Sequence, residues 1–355
     1  MSLMEKAYKK ALKPMLFRFD PELVHHHFVN LGESMGRTAA GRRLIAAMYD
    51  YRGPDISRTV DGVTYRTPVI LAAGFDYNAR LTQILASVGF GGVEVGSVTA
   101  YPCPGNEPPR LRRAVQSESL IVYKGLRNEG VDQIIDRLRR RGVQQGLVLG
   151  ISIAMTNAES SATLEGAVDD YYQSFKKLNE ARIGDYYTIN ISCPNVYGGE
   201  SFTDPTRLKA LLEKLDEVEC RVPRYTKMPI SLEWEQFREL LDLLQDFGID
   251  GVVVGNLQKD YDELDVRREA PEEYRGGLSG KPCREASTQL IRKTREHCGP
   301  EFTIMGCGGV MSPADALEKL DAGADLIQLI SGMIFEGPHL MRDIAWAIAE
   351  RHLDV

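Results

Sequence analysis

Met305-Gly306-Cys307-Gly308-Gly309 and, after nineteen intervening residues, Leu329-Ile330-Ser331-Gly332 are two short apolar runs that each stop at glycine. A run of this length, apolar throughout and bounded by glycine, is the pattern of a strand buried on both faces, as in a parallel sheet. Six more runs of the same kind precede them: Val69 to Ala73, Gly92 to Gly96, Leu147 to Ile153, Tyr187 to Ser192, Pro229 to Leu232, and Gly251 to Gly255. With Phe302 to Met305 and Leu326 to Ile330 the count is eight. Amphipathic stretches separate them. Glu235 to Phe247 carries Phe237, Leu240, Leu241 and Leu244 on one helical face, and Ser312-Pro313 has the cap and first-turn proline of a helix start. Eight strand–helix alternations close more readily into a barrel than into an open sheet, because the eighth strand can pair with the first and leave no edge. The expected fold is therefore α/β, a (β/α)8 TIM barrel.

Nearly seventy residues precede the first strand. Leu12, Met15, Leu16 and Phe19 follow i, i+3, i+4, i+7 spacing, and Asp20-Pro21-Glu22 opens a second helix with Asp20 as its cap and Leu23, Val24, Phe28 and Leu31 as apolar positions. Residues 1–65 are thus expected to form an N-terminal helical extension, and 66–355 the barrel. The extension either packs on the barrel or meets a membrane or lipophilic substrate. Two stretches, 98–127 and 259–282, interrupt the rhythm after the second and sixth strands; lying at strand C-termini, they are candidate lids.

The chain has 355 residues, 43% of them hydrophobic, and a net charge of -7. That balance argues against a nucleic-acid surface, and the basic run Arg137, Arg139, Arg140, Arg141 reads as the solvated face of a barrel helix. Six scattered cysteines without a CxxC pair suit a reduced, cytoplasmic setting. No apolar stretch approaches the ~20 residues of a membrane span, which leaves peripheral contact at the inner face of a membrane open. His25, His26 and His27 are adjacent, so their side chains diverge by about 100° on a helix and cannot share an ion; no metal site is expected.

Chemistry is legible at the strand ends. In such barrels the loops after strands seven and eight commonly bind phosphate through backbone amides, and Gly308, Gly309, Ser331 and Gly332 stand there, with Gly276-Gly277-Leu278-Ser279-Gly280 able to add more. Asn190-Ile191-Ser192-Cys193-Pro194-Asn195 ends the fourth strand. Alternation directs Asn190 and Ser192 to one side, and Pro194 stops the strand. Cys193 is either a base for a carbon-bound proton or an inert buried thiol.

Leu71-Ala72-Ala73-Gly74-Phe75-Asp76, Glu94-Val95-Gly96-Ser97-Val98-Thr99, Pro104-Gly105-Asn106, the Asn190–Asn195 segment, Gly276–Gly280, Gly308-Gly309 and Ser331-Gly332 together resemble dihydroorotate dehydrogenase, in order along the whole barrel. Asp20-Pro21-Glu22 with His25, Arg110 and Arg113 resembles the membrane-associated, quinone-using class of that family. The resemblance implies FMN as cofactor and oxidation of dihydroorotate to orotate, a base taking the C5 proton while hydride leaves C6. It makes Cys193 the base, where the membrane class usually has serine, and Asn190, Asn195 and Asn256 ring-binding amides. It makes Ala72, Ala73, Gly74 and Ser97 flavin contacts, and Gly277, Gly308, Gly309, Ser331 and Gly332 the phosphate site. It also exposes departures: Tyr77 for a lysine after strand one, Val122 for an asparagine, Ser152 for a flavin-binding asparagine, Glu233 for the strand-five lysine near the flavin, and Gly255 for a threonine. A carboxylate at Glu233 would disfavour anionic reduced flavin and lower its potential. Three functions follow: an FMN oxidoreductase of dihydroorotate or a related substrate, with quinone as acceptor; an altered or inactive homologue that binds FMN or another phosphate ligand; and a phosphosugar lyase, for which no strand-end lysine is legible.

Overall fold

The computed structural model describes residues 3–192, 202–262, 266–270, 274 and 276–353. Eight parallel strands close into a barrel: β1 (Val69–Leu71), β2 (Gly92–Val98), β3 (Val148–Ile153), β4 (Tyr186–Asn190), β5 (Arg224–Met228), β6 (Gly251–Val254), β7 (Thr303–Cys307) and β8 (Leu326–Leu329). Each pairs with its neighbours in sequence, and β8 closes on β1 through Ile327↔Val69, Gln328↔Ile70 and Leu329↔Leu71. The expected (β/α)8 barrel is present, and seven strands fall where the apolar runs place them.

The fifth does not. Pro229 to Leu232 lies beyond β5, which is the mixed segment Arg224-Tyr225-Thr226-Lys227-Met228. Tyr225 and Lys227 point into the barrel and Thr226 and Met228 outward, so period-2 alternation within a polar-looking run hid a strand buried on both faces.

The barrel interior is built in layers, as its strand tilt requires. At the bottom Ile70, Val148, Tyr186, Tyr225, Val253, Met305 and Leu326 pack around Tyr65, which comes from a small hairpin (Arg58–Val60 with Val63–Tyr65) plugging the barrel. The hairpin is pinned by Asp61, whose carboxylate accepts from Tyr225 Oη and Thr303 Oγ1, both at 2.7 Å. Above this layer the fully buried carboxylate of Glu94 accepts from Thr188 Oγ1 at 2.8 Å and Gln328 Nε2 at 2.9 Å. These bonds offset part of the cost of burying the layer, although Glu94 Oε1 and Gln328 Oε1 find no partner among the described residues.

The two candidate lids prove to be one structure. Leu111–Ala114 and Ser119–Val122 form an antiparallel hairpin, and Gly277–Gly280 adds to it through Val122↔Gly277 and Ser119↔Gly280. This rim sheet stands on the C-terminal face of the barrel.

Two main helices make up the extension, α1 (Pro21–Gly36) and α2 (Ala39–Tyr49). Asp20 caps α1 by accepting from Leu23 N at 2.8 Å, as its position ahead of Pro21 implies. The preceding helical turns end at Leu16, leaving Phe19 in the connection. The extension docks on the barrel through ions. Glu33, only 8% exposed, accepts from Arg37 at 2.9 Å and Arg80 at 2.7 Å and pairs with Arg141. Glu22 pairs with Arg127 at 2.9 Å and Arg110 at 3.5 Å. Arg141 is therefore not merely a solvated charge: it reaches from the helix Val131–Arg141 to a carboxylate that only tertiary packing brings near, and Arg137 of the same helix pairs with Glu129.

Burial pushes the Glu33 carboxyl up, but hydrogen bonds from Arg80, Arg37 and Arg141 outweigh it and hold the group below its ordinary 4.5. Its ionised form therefore stabilises the folded chain above pH 4.5, and the contribution disappears as pH falls through the lowered value. Glu33→Gln should cost about 2 kcal/mol in urea denaturation at pH 7, because three guanidinium groups lose a buried partner. The gap to the wild type should close on acidification; a gap unchanged at pH 3 would refute the ion-pair account.

Candidate active site

A cavity of about 510 Å3 opens at the C-terminal ends of the strands and continues between the barrel and the extension helices. Concave sites of ~300–1,000 Å3 with a few polar groups in an apolar wall are what small-molecule ligands occupy. Its inner end is polar. Ser97, at the end of β2, shares a hydrogen bond with Ser152 Oγ of β3 at 2.8 Å and accepts from Asn190 Nδ2 of β4 at 2.9 Å. Asn256, just after β6, donates to Ser192 Oγ at 2.9 Å, and Ser192 Oγ donates to the Lys227 carbonyl at 2.9 Å. One connected network thus fixes side chains from four strand ends and reaches the main-chain carbonyl of a fifth.

Of the residues expected at this site, Ala72, Ala73, Gly74, Ser97, Asn190, Asn256, Gly308, Gly309, Ser331 and Gly332 all line the cavity. Ser152 stands behind Ser97, wholly buried, and orients it. Gly277 packs against Leu257, and its neighbours Ser279 and Gly280 reach the cavity instead. Cys193 and Asn195 lie outside the described residues.

Glu233 is exposed, immediately ahead of the helix Trp234–Asp246, and faces away from the cavity. The basic side chain of strand five is Lys227, 5% exposed and on the cavity wall. Misplacing the strand by five residues made a retained lysine look like a carboxylate. The argument for a lowered flavin potential falls with it, and so does the statement that no strand-end lysine exists. The signal was available in the sequence: Thr226 and Lys227 directly precede Met228-Pro229, and proline marks where a central strand must stop.

The opposite wall is a cradle of backbone. Gly308 and Gly309 follow β7 with φ of +115° and +73°, and a Cβ on Gly309 would lie 2.4 Å from Arg284 Cα. Only glycine lets the turn pass there. Ser331 Oγ, at the start of the short helix after β8, shares a hydrogen bond with Ser279 Oγ at 2.8 Å and ties the rim sheet to this wall. Amides and hydroxyls converging without a carboxylate suit an anion, and the lining residues fit a flavin phosphate.

Toward the extension the wall turns apolar, with Val24, Phe28 and Met35 of α1 and Ile45 and Met48 of α2. His25 marks the junction. Its Nε2 hydrogen-bonds the Phe75 carbonyl at 2.8 Å and its ring stacks on Tyr77, with centroids 5.6 Å apart. Burial first, and Lys124 second, push its pKa down to about 3, so His25 is neutral at physiological pH. Arg113 donates to the Phe19 carbonyl at 2.8 Å and lies over the Phe17 ring. Among the described residues no group of histidines, cysteines and acids could hold a metal.

This arrangement defines a class: a (β/α)8 barrel with an anion cradle after strands seven and eight, an amide network at strands two to six, and a helical extension that prolongs the cavity. The family model of dihydroorotate dehydrogenase matches residues 56–351. A Christiangramia forsetii protein named dihydroorotate dehydrogenase (quinone) is 36% identical over 350 residues, covering 98% of this chain and all of that protein. A protein of Chromobacterium violaceum with the same name is 36% identical, covering 96% of this chain and 97% of its own. A crystal structure of an Eimeria tenella DHODH in complex with ferulenol superposes with a TM-score of 0.82 at 26% identity, covering 94% of this chain and 92% of that one. The chain belongs to the dihydroorotate dehydrogenase family.

Cys283 and Cys307 flank the glycine turn, both on the cavity wall. Burial pushes the Cys283 thiol up to about 12 and raises that of Cys307 as well. Thiols are inert without their thiolate fraction. Iodoacetamide at pH 8 should therefore leave both peptides unmodified in the folded protein and modify them after denaturation; fast native labelling of either, read by peptide mass spectrometry, would contradict this environment.

Proposed function

We propose that this protein oxidises dihydroorotate to orotate with FMN as its cofactor and a quinone as the final acceptor. The observation that carries the reading is the continuity of one cavity from the amide network through the glycine cradle to an apolar passage between the extension helices. When bound, FMN supplies the two-electron acceptor. Gly308, Gly309, Ser331 and Gly332 would hold its phosphate, Ala72, Ala73, Gly74 and Ser97 its ring system, with Lys227 as the buried cation beside it. Asn190 and Asn256, already oriented by Ser97 and Ser192, present amides suited to a planar ring carrying carbonyl and N–H groups. Cys193 is the base that takes the C5 proton in this reading. The helices Pro21–Gly36 and Ala39–Tyr49 act as the quinone approach, distinct from the redox barrel.

A second reading, a homologue that keeps the flavin without turning over dihydroorotate, rests on Tyr77 and Val122, which replace polar groups of the family. It loses its strongest support now that Lys227 occupies strand five. The purified protein should be yellow, and anaerobic dihydroorotate should bleach its visible flavin bands. Cys193→Ala should slow that bleaching at least 100-fold, a typical contribution of a general base. A yellow protein that dihydroorotate leaves unbleached would instead favour the second reading.

The outer side of the extension is apolar as well. Met15 is 51% exposed, Phe19 54%, Leu23 51% and Leu31 54%, four large apolar side chains left in solvent within seventeen residues of chain. No described helix is long and apolar enough to cross a membrane. We infer that this face lies on a bilayer surface, where quinone is dissolved. The protein should co-sediment with liposomes, and Phe19→Asp with Leu23→Asp should release it while leaving flavin reduction by dihydroorotate unchanged. Equal sedimentation of the double variant would count against the membrane contact.

A further inference from the structure

Lys124 lines the cavity where the rim hairpin meets α1, two residues beyond Val122. Its Nζ lies 4.9 Å from the centroid of the Tyr77 ring, whose other neighbour is the stacked ring of His25. The cation is thus propped on an aromatic platform, which attracts it through the ring face and leaves its N–H donors free for a ligand in the cavity. Among the described residues no carboxylate lies within ion-pair distance of it. The nearby acid, Glu22, is already shared between Arg127 and Arg110, so its single charge leaves nothing over for Lys124. A buried cation without a partner is costly, and such a group in a ligand cavity is compensated when an anion binds.

We propose that Lys124 binds the carboxylate of the substrate. The assignment rests on the function proposed above, since dihydroorotate is a cyclic diamide bearing one carboxylate. In that reading Asn190 and Asn256 take the ring and need a cation elsewhere to take the charge. The loss of a lysine at Tyr77 is then a relocation: the charge comes from the hairpin, and the tyrosine that replaced the strand-one lysine supports it from below. Val122 fits the same exchange, because an ammonium two residues further on supplies the donors that an amide at that position would have given.

Burial, more than the nearby Arg127 and Arg110, lowers the pKa of Lys124 to about 8 against the attraction of Glu22. Of the groups around it, His25 and His26 of α1 have lowered values and are neutral between pH 7 and 9, burial raises Tyr77 so that it stays neutral there, and Glu22 is paired with Arg110 and Arg127. Lys124 is therefore the group whose charge is lost across that interval.

The test is calorimetric titration of the oxidised holoprotein with orotate and with uracil, which has the same ring without the carboxylate. Lys124→Met should weaken orotate binding about 10- to 100-fold, the range for one charge-assisted hydrogen bond, and leave uracil binding unchanged. Lys124→Arg should stay close to the wild type. In the wild type itself orotate affinity should fall as pH rises above about 8 while uracil affinity does not, which needs no variant to fold. Equal orotate affinity in Lys124→Met and the wild type, equal losses for orotate and uracil, or no orotate binding at all would overturn the assignment. Orotate binding that depends on Lys124 in a protein that dihydroorotate does not reduce would uphold it and sink the proposed reaction instead.

Discussion

Everything functional in this chain depends on the closure of β8 against β1. The parallel register Ile327↔Val69 to Leu329↔Leu71 removes the last free edge and holds eight strand ends on one rim. Once they are on one rim, side chains from segments as distant as Ser97 and Asn190 can hydrogen-bond, and the glycine turn after β7 can face the amide network across a single cavity. An open sheet with the same strands would spread these groups along an edge, where no ligand could meet them together.

The interior is unusually polar for a structure held by apolar burial, and the polarity is graded. Tyrosines and aliphatics fill the bottom, the Glu94 carboxylate with Thr188 and Gln328 fills the middle, and serine, asparagine and lysine form the top. At the top, hydrogen bonds from one strand end to the next, Asn190 to Ser97 and Asn256 to Ser192, hold the amides in fixed orientations instead of leaving them to adapt to solvent. Preorganised amides are useful for orienting a planar ring, because no hydrogen bond has to be broken and rebuilt on binding.

The extension adds a second constraint of a different kind. Its contact with the barrel combines arginines on two carboxylates, Glu33 and Glu22, with apolar packing of Val29, Met35 and Ile45 on the barrel core. Because ion pairs carry part of the docking, other apolar residues are left to line the passage on one side and face outward on the other.

Periodicity and punctuation in the sequence determined the barrel, its glycine cradle, the capped helix at Asp20 and the cavity-lining residues Asn190, Gly308, Gly309, Ser331 and Gly332, because each is set by local spacing and by where a strand must stop; Asn256 came from the family resemblance alone. Sequence alone failed where the deciding neighbour is distant. Lys227 was hidden because a strand facing a polar barrel interior does not read as an apolar run, and Glu233 was drawn into its place. Arg141 looked solvated until Glu33 arrived from another element, and two separate insertions gave no sign that they would form one sheet. Lys124 shows the same limit, since its position over Tyr77 joins residues 47 apart in the chain. Contacts of that kind are products of closure, so only the folded chain could reveal which cations meet a partner and which are left facing the cavity.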